Sequence, residues 1–233
     1  MHVSHENLTC AKFADHFPPA ATYHIGKRLV DLTISILVIL TIYPLLFPLI
    51  ILMIKLDSKG PVFFKQKRAG LLGSVFVCFK FRTMHVNDEA DIKAAVHGDT
   101  RITRAGQLLR QTWLDELPQF LNVVKGDMSI VGPRPQMLTE TADFSKVIDD
   151  YFLRTMVRPG ITGLSQVLGF RGPAIDFQQI YLRYCWDVYY VRKANWQLDF
   201  WIMAKTMLLM ARSLSNRRGV PGRIIALGNR RSA

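Results

Sequence analysis

"LTISILVILTIYPLLFPLIILMI", residues 32–54, contains no charged side chain. As a helix, a run of that length can cross the roughly 30 Å hydrocarbon core of a bilayer. Lys27 and Arg28 precede it, and Lys55, Lys59, Lys65, Lys67 and Arg68 follow it. The positive-inside rule assigns an orientation only when the flanks differ, and here both favour the cytosolic side. Pro44 stands near the middle with Pro48 one turn later. Each removes a backbone donor and crowds the preceding turn. A helix that enters, turns at Tyr43–Pro44 and returns to the same face satisfies both features, so a re-entrant hairpin is expected in preference to a straight span. Asp31 then falls at headgroup depth.

The 233 residues suit one domain with an appended element, and the net charge of +12 calls for an anionic partner. With 49% hydrophobic residues, the balance favours a membrane surface over nucleic acid, for which no binding motif is found. Cys10, Cys78 and Cys185 are far apart and form no CxxC pair, so a reduced, cytosol-facing protein is the simpler reading. The histidines show no zinc-site spacing.

Residues 1–26 read as a loosely ordered leader, 27–55 as the membrane segment, 56–214 as a cytosolic, membrane-associated domain, and 215–233 as a basic tail. Within 60–84, alternation at Val75, Val77, Phe79 and Phe81 predicts two strands around a Gly-containing turn. Helical patterning follows over "RAGQLLRQTWLDELPQFLNVVKG", stopping at Gly126. It returns in "FQQIYLRYCWDVYYVRKA" and in the apolar stretch 196–214, a core helix or one lying on lipid. The expected fold is α+β and mainly helical. It is that of a monotopic membrane protein with an N-terminal re-entrant helical hairpin, a small β-hairpin and amphipathic interfacial helices.

"TWLDELPQF" (112–120) sets Asp115 and Glu116 side by side before Pro118. With Asp115 as N-cap, Pro118 falls in the first helical turn, and Leu117, Phe120, Leu121 and Val124 form a buried stripe. The carboxylates then sit at the positive end of the helix dipole. A DE pair alone is commonly just a cap. Arg110 lies nearby, and Arg134 in "GPRP" and Arg158 in "RPG" occupy proline-stiffened loops suited to phosphate. Lys80 and Arg82 in "FKFRTM" could attract phosphate or be solvated strand edges. Asp187 and Asp127 are further candidates, Asp187 the stronger because Asp127 follows Gly126, where a turn cap would do.

Taken in order, "KRLVDL", "GPVFFKQKRAG", "FKFRTM", "LDELPQFLNVVKGDMSIVGPRP", "RPGITG" and "DVYYV" resemble the bacterial monotopic phosphoglycosyl transferases, the polyprenyl-phosphate sugar-1-phosphate transferases. Two positions depart from that pattern. Leu164–Ser165 stands where Trp-Ala is common, and Tyr43–Pro44 where Ser-Pro is frequent. The resemblance implies that Asp115 attacks the sugar-linked phosphorus of a nucleoside diphosphate sugar, with a UDP-hexose the safest guess. A nucleoside monophosphate leaves, and polyprenyl phosphate then takes the sugar phosphate from the aspartate. It also implies Mg²⁺ held by Glu116, with Asp115 sharing, and residence at the bacterial inner membrane with the catalytic domain on the cytosolic face. Membrane lipids are expected partners, and the oligomeric state, a homo-oligomer included, is left open. Competing readings are a membrane phosphohydrolase and a non-enzymatic scaffold that binds anionic lipids.

Overall fold

The computed structural model describes residues 21–89, 95–96, 98–172 and 176–215. Most of the expected leader and nearly all of the basic tail lie outside the described residues. The apolar stretch forms one helix, α1 (Ala21–Asp57), which takes in the end of the expected leader and runs through Pro44 and Pro48. It is therefore a single element where a two-helix hairpin was expected. Much of its surface is open apolar side chain, with Leu37, Leu40, Leu45 and Leu49 each at least 60% exposed.

The expected hairpin is present. Strands β1 (Phe63–Ala69) and β2 (Val75–Phe81) pair antiparallel, with Phe63 opposite Phe81 and Ala69 opposite Val75. The end of α1 lies against it. Ile50 and Ile54 are buried with Phe81 and with Leu109 of α2 (Arg104–Thr112). The Asp57 carboxylate accepts the Ala105 amide at 3.0 Å, and the Thr103 hydroxyl accepts that of Gly106, so two orphan donors of α2 are satisfied. Gly106 is required here, because a Cβ would meet the Thr83 carbonyl oxygen at 2.0 Å.

The helical patterning over 104–126 divides into three pieces. Trp113 turns left-handed (φ 63°), a 3-10 turn spans Leu114–Glu116, and α3 (Gln119–Lys125) follows with Pro118 as its N-cap. Asp115 is thus not the cap that was expected; it stands in the tight turn before the helix. The expected stripe is also corrected. Gln119, Asn122 and Val123 face inward, whereas Leu121 and Val124 are 37% and 38% exposed. The free edge of β2 explains this: Asn122 donates to the Val77 carbonyl at 2.7 Å and accepts the Phe79 amide at 2.9 Å. A buried amide that completes unpaired strand groups outweighs an apolar side chain in that position. Gly126 (φ 96°) ends α3 as read.

Beyond it, β3 (Ser129–Val131) pairs in parallel with β4 (Gly160–Thr162), and the crossover contains α4 (Leu138–Phe144). The strands come very close, since a Cβ on Gly160 would lie 2.1 Å from the Gly132 amide nitrogen. A short α5 (Leu164–Val167) follows, then α6 (Phe177–Lys193) and α7 (Trp196–Ser215), both near their expected bounds. Helix α7 buries Asp199 and Ile202 and exposes Phe200, Trp201, Met207 and Leu208. A core of Tyr23, Ile130, Val131, Leu164, Tyr190 and Ile202 brings α1, β3, α5, α6 and α7 together.

Candidate active site

The turn after Trp113 presents two adjacent carboxylates, both nearly enclosed, with Asp115 8% and Glu116 5% exposed. Their surroundings differ sharply. Glu116 Oε1 is met by Lys80 Nζ at 3.2 Å and by an Arg134 guanidinium nitrogen at 2.9 Å, and its Oε2 by Arg171 at 3.1 Å. Among the described residues, no hydrogen bond or ion pair reaches the Asp115 carboxylate.

Electrostatics separate the two further. Burial, and then the charge of Glu116, push the Asp115 carboxyl above its ordinary range, against the opposing pull of Lys80, Arg171 and Arg110. Burial also opposes ionisation of Glu116, but Arg134, Lys80 and Arg171 outweigh it and hold that carboxyl well below its usual value. Such a split assigns different roles to the members of an acidic pair. Glu116 is a fixed anion that organises three cations. Asp115 has oxygens free to react.

Each cation is itself held. Lys80 projects from β2. Arg134 sits in a loop whose backbone is tied on both sides: the Gly160 amide donates to the Pro133 carbonyl, and the Ala69 amide to that of Gln136. Arg68 donates to the Pro135 carbonyl at 3.0 Å. Arg154 donates to the carbonyl of Arg134 itself at 2.8 Å. Arg154 is in turn fixed by the buried Asp187, with nitrogens 2.6 and 3.1 Å from one carboxylate oxygen, while the Ser165 hydroxyl donates to the other at 2.7 Å. Asp187 therefore lies behind the site, supporting the arginine loop. Arg171 lies over the Trp113 ring, 3.8 Å from its centroid, which fixes the guanidinium against the left-handed turn. Arg110, half-buried at the end of α2, donates to the Thr83 hydroxyl at 2.8 Å and adds its charge near Asp115.

The structure thus brings together Asp115, Glu116, Lys80, Arg110 and Arg134, and places Asp187 immediately behind them. Arg82, Arg158 and Asp127 are placed elsewhere. Arg82 is buried and spends its donors on the carbonyls of Ser58, Lys59 and Pro61, clamping the chain as it leaves α1. Arg158 donates to the Gly126 carbonyl at 2.9 Å, and Asp127 accepts from Asn122 in the turn that ends α3. Arg171 was not among the predicted phosphate ligands. Its signal was a setting like those of Arg134 and Arg158, an arginine in a Gly/Pro-punctuated stretch, "GFRGP".

The membrane segment reaches this turn directly. Tyr43, at the position where the resembling family commonly carries serine, donates its hydroxyl to the Leu117 carbonyl at 2.7 Å. Phe47 stacks on the Tyr43 ring at 3.7 Å between centroids and meets Phe81 edge-on. Tyr43→Phe removes that hydrogen bond at a cost of about 1 kcal/mol. A lower melting temperature in detergent with unchanged helix content is the expected result; an unaltered midpoint would leave the contact with a packing role only.

Among the described residues there is no cluster of three or more His, Cys, Asp or Glu side chains suited to a metal. Mg²⁺ does not require one, since it ordinarily takes one or two carboxylates and fills its shell with water and substrate phosphate. The uncommitted oxygens of Asp115 fit that habit. Glu116, already met by three cations, fits it less well.

A buried acidic turn met by Lys80, Arg134 and Arg171, with Arg110 and Arg68 adding charge nearby, is an arrangement suited to anionic groups such as phosphate. The chain belongs to the bacterial sugar transferase family, whose sequence profile matches residues 22–213. It is 42% identical over 184 residues to a UDP-glucose:undecaprenyl-phosphate glucose-1-phosphate transferase of Xanthomonas campestris pv. campestris, covering 78% of this chain and 38% of that protein. A Caulobacter vibrioides protein of the same name is 40% identical over 190 residues, covering 81% of this chain and 71% of the other. The exopolysaccharide production protein PSS of Rhizobium leguminosarum bv. phaseoli is 39% identical, with 78% of this chain and 93% of that protein aligned. Against the Xanthomonas relative, then, this chain spans well under half the length.

Proposed function

We propose that the protein transfers a sugar-1-phosphate from a UDP-hexose to polyprenyl phosphate through a covalent phospho-aspartyl intermediate. The observation that carries this reading is the inequality of the dyad: Glu116 neutralised by three cations, Asp115 beside it without a partner among the described residues. A carboxylate is already a nucleophile at neutral pH and needs no neighbouring base. An oxygen of Asp115 attacks the sugar-linked phosphorus. The bond from that phosphorus to the bridging oxygen breaks, and UMP departs with the electron pair. A phosphate oxygen of the polyprenyl acceptor then attacks the same phosphorus, the bond to Asp115 breaks, and polyprenyl diphosphate sugar leaves with the carboxylate restored. No net proton is required.

Attack by an anion on a diphosphate is slow unless charge is offset, and Lys80, Arg110, Arg134 and Arg171 are positioned to offset it. Asp115, together with Glu116, would hold Mg²⁺, which would supply further neutralisation of the diphosphate. The names of the Xanthomonas and Caulobacter relatives support undecaprenyl phosphate as acceptor and a UDP-hexose as donor. The test incubates purified protein, Mg²⁺ and polyprenyl phosphate with a panel of nucleotide sugars and measures UMP and lipid product. Release of UMP with no lipid product, water being the acceptor, would favour a phosphohydrolase. No release from any donor would leave a lipid-binding scaffold.

The same reading places the catalytic body on the cytosolic face of the inner membrane, with α1 entering and leaving by that face. Support comes from where α1 is tied down. Lys27 near its start is 2.8 Å from Asp199, Tyr43 in its middle touches the catalytic turn, and Asp57 at its end caps α2. A transmembrane span would carry those ends to opposite sides of the bilayer, and one compact body could not hold both. Pro44 and Pro48 inside α1 each remove a backbone donor and would permit the bend that re-entry requires. Single cysteines at Ile25 and at Ser58, in a background lacking the native cysteines, should both react with an impermeant maleimide applied from the cytosolic side. Protection of one and its labelling from the periplasm would exclude re-entry.

A further inference from the structure

Away from the acidic dyad, a cavity of about 200 Å³ opens between the start of α1, β3 and the segment leading into β4. Its polar lining includes Lys27, Arg28, Asp31, Ser129, Arg158 and Tyr190. The two acids near it are already engaged. Asp31 accepts from the Ser129 hydroxyl at 2.7 Å and from the Ile130 amide at 3.2 Å. Asp199 takes Lys27 at 2.8 Å and the hydroxyls of Tyr23 and Tyr190 at 2.8 and 2.7 Å.

Arg28 and Arg158 are left without a carboxylate within ion-pair distance among the described residues. Arg28 touches only the carbonyls of Val124 and Met128, at 3.3 and 3.4 Å, and Arg158 only that of Gly126 through Nε. Both guanidiniums converge on the last turn of α3, close enough for their charges to oppose one another. Carbonyl contacts at a helix C-terminus account for part of each side chain. They leave the terminal nitrogens of Arg158 without a hydrogen bond among the described residues, and the charge of Asp31 offsets only part of what burial and Arg158 impose on Arg28.

We propose that this cavity is a second anion site, which binds the phosphate of an acidic phospholipid headgroup between Arg28 and Arg158. The volume is below that of ordinary small-molecule pockets and on the scale of a headgroup. Its position favours a lipid over a free ion. Ile25 and Leu29 on the same turns of α1 are 66% and 62% exposed, and Val124 beside Arg28 is 38% exposed, so acyl chains would cover apolar surface that inorganic phosphate would leave bare. Neither arginine contacts Asp115 or Glu116, so the site is distinct from the one proposed for catalysis.

The test uses the full chain in neutral detergent, titrated with short-chain phosphatidylglycerol, with phosphatidylcholine of the same chain length, and with inorganic phosphate. Thermal unfolding is the readout, because a ligand that binds only the folded state raises Tm in a saturable way. Phosphatidylglycerol should saturate at a concentration at least tenfold lower than either control. Arg158→Gln should raise that concentration at least tenfold, and Arg158→Lys should restore much of it. The Arg158 side chain is exposed and makes one backbone contact, so these variants keep the fold even if Arg28→Gln does not. Equal responses to the two lipids, a titration unmoved by Arg158→Gln, or inorganic phosphate acting as strongly as phosphatidylglycerol would each overturn the assignment.

Discussion

Asp115→Asn should lower UMP release by about 10⁴-fold or more, the scale seen when a covalent nucleophile is removed, and should at the same time raise the melting temperature. The second half follows from the sign of the titration. The folded protein holds this carboxyl above its ordinary range, so at neutral pH the ionised form is less favourable in the folded chain than in the unfolded one. That group therefore subtracts stability as pH rises through its folded-state value. A neutral isostere removes the cost. Paired measurements of activity and thermal unfolding check both halves, and a variant that is inactive because its Tm has fallen would contradict the argument. Trapping wild-type protein with a productive donor, followed by digestion, should place a sugar-phosphate adduct on the peptide containing residue 115. Lipid product formed while the adduct maps elsewhere would move the nucleophile.

Glu116→Gln should do the opposite to stability. It leaves Lys80, Arg134 and Arg171 crowded together without their counter-charge, and breaking such an enclosed network costs about 3 kcal/mol. Chemical denaturation in detergent would read this directly. The variant also changes pH dependence. Glu116's charge is one of the causes that raise the Asp115 carboxyl, and the three cations pull the other way. Removing the first and freeing the second both favour ionised Asp115. The acid limb of kcat/KM, which reports protonation of the nucleophile, should shift to lower pH in whatever activity remains. An unmoved limb would mean that the two carboxylates are not electrostatically linked.

What could be read without coordinates was what depends on neighbours in the chain. Period-two alternation located β1 and β2, Gly126 located the end of α3, and the uncharged stretch between two basic flanks located α1. The dyad was visible because adjacent acids beside a proline are unusual in an apolar context. The details that failed depend on partners distant in sequence. Leu121 and Val124 lost the inward position to Asn122 because of the unpaired edge of β2, some forty residues earlier. Arg82 resembled Lys80 on the page, yet Lys80 stands within β2 and meets Glu116, whereas Arg82 lies just past the end of that strand and donates to the carbonyls below α1. Arg134 and Arg158 share a proline-stiffened setting, but only the first loop folds back over the acidic turn.

Asp199 joins the first helix to the last, with Lys27 and Tyr23 on one side of it and Tyr190 on the other. Dissecting the protein into a detachable anchor and a free-standing enzyme should therefore fail. Trimming away the N-terminal helix would strip Asp199 of two of its donors and lay bare Phe81 and Leu109. What remained would aggregate where a water-soluble reagent was wanted, and biochemical work on this protein must carry its apolar first helix along.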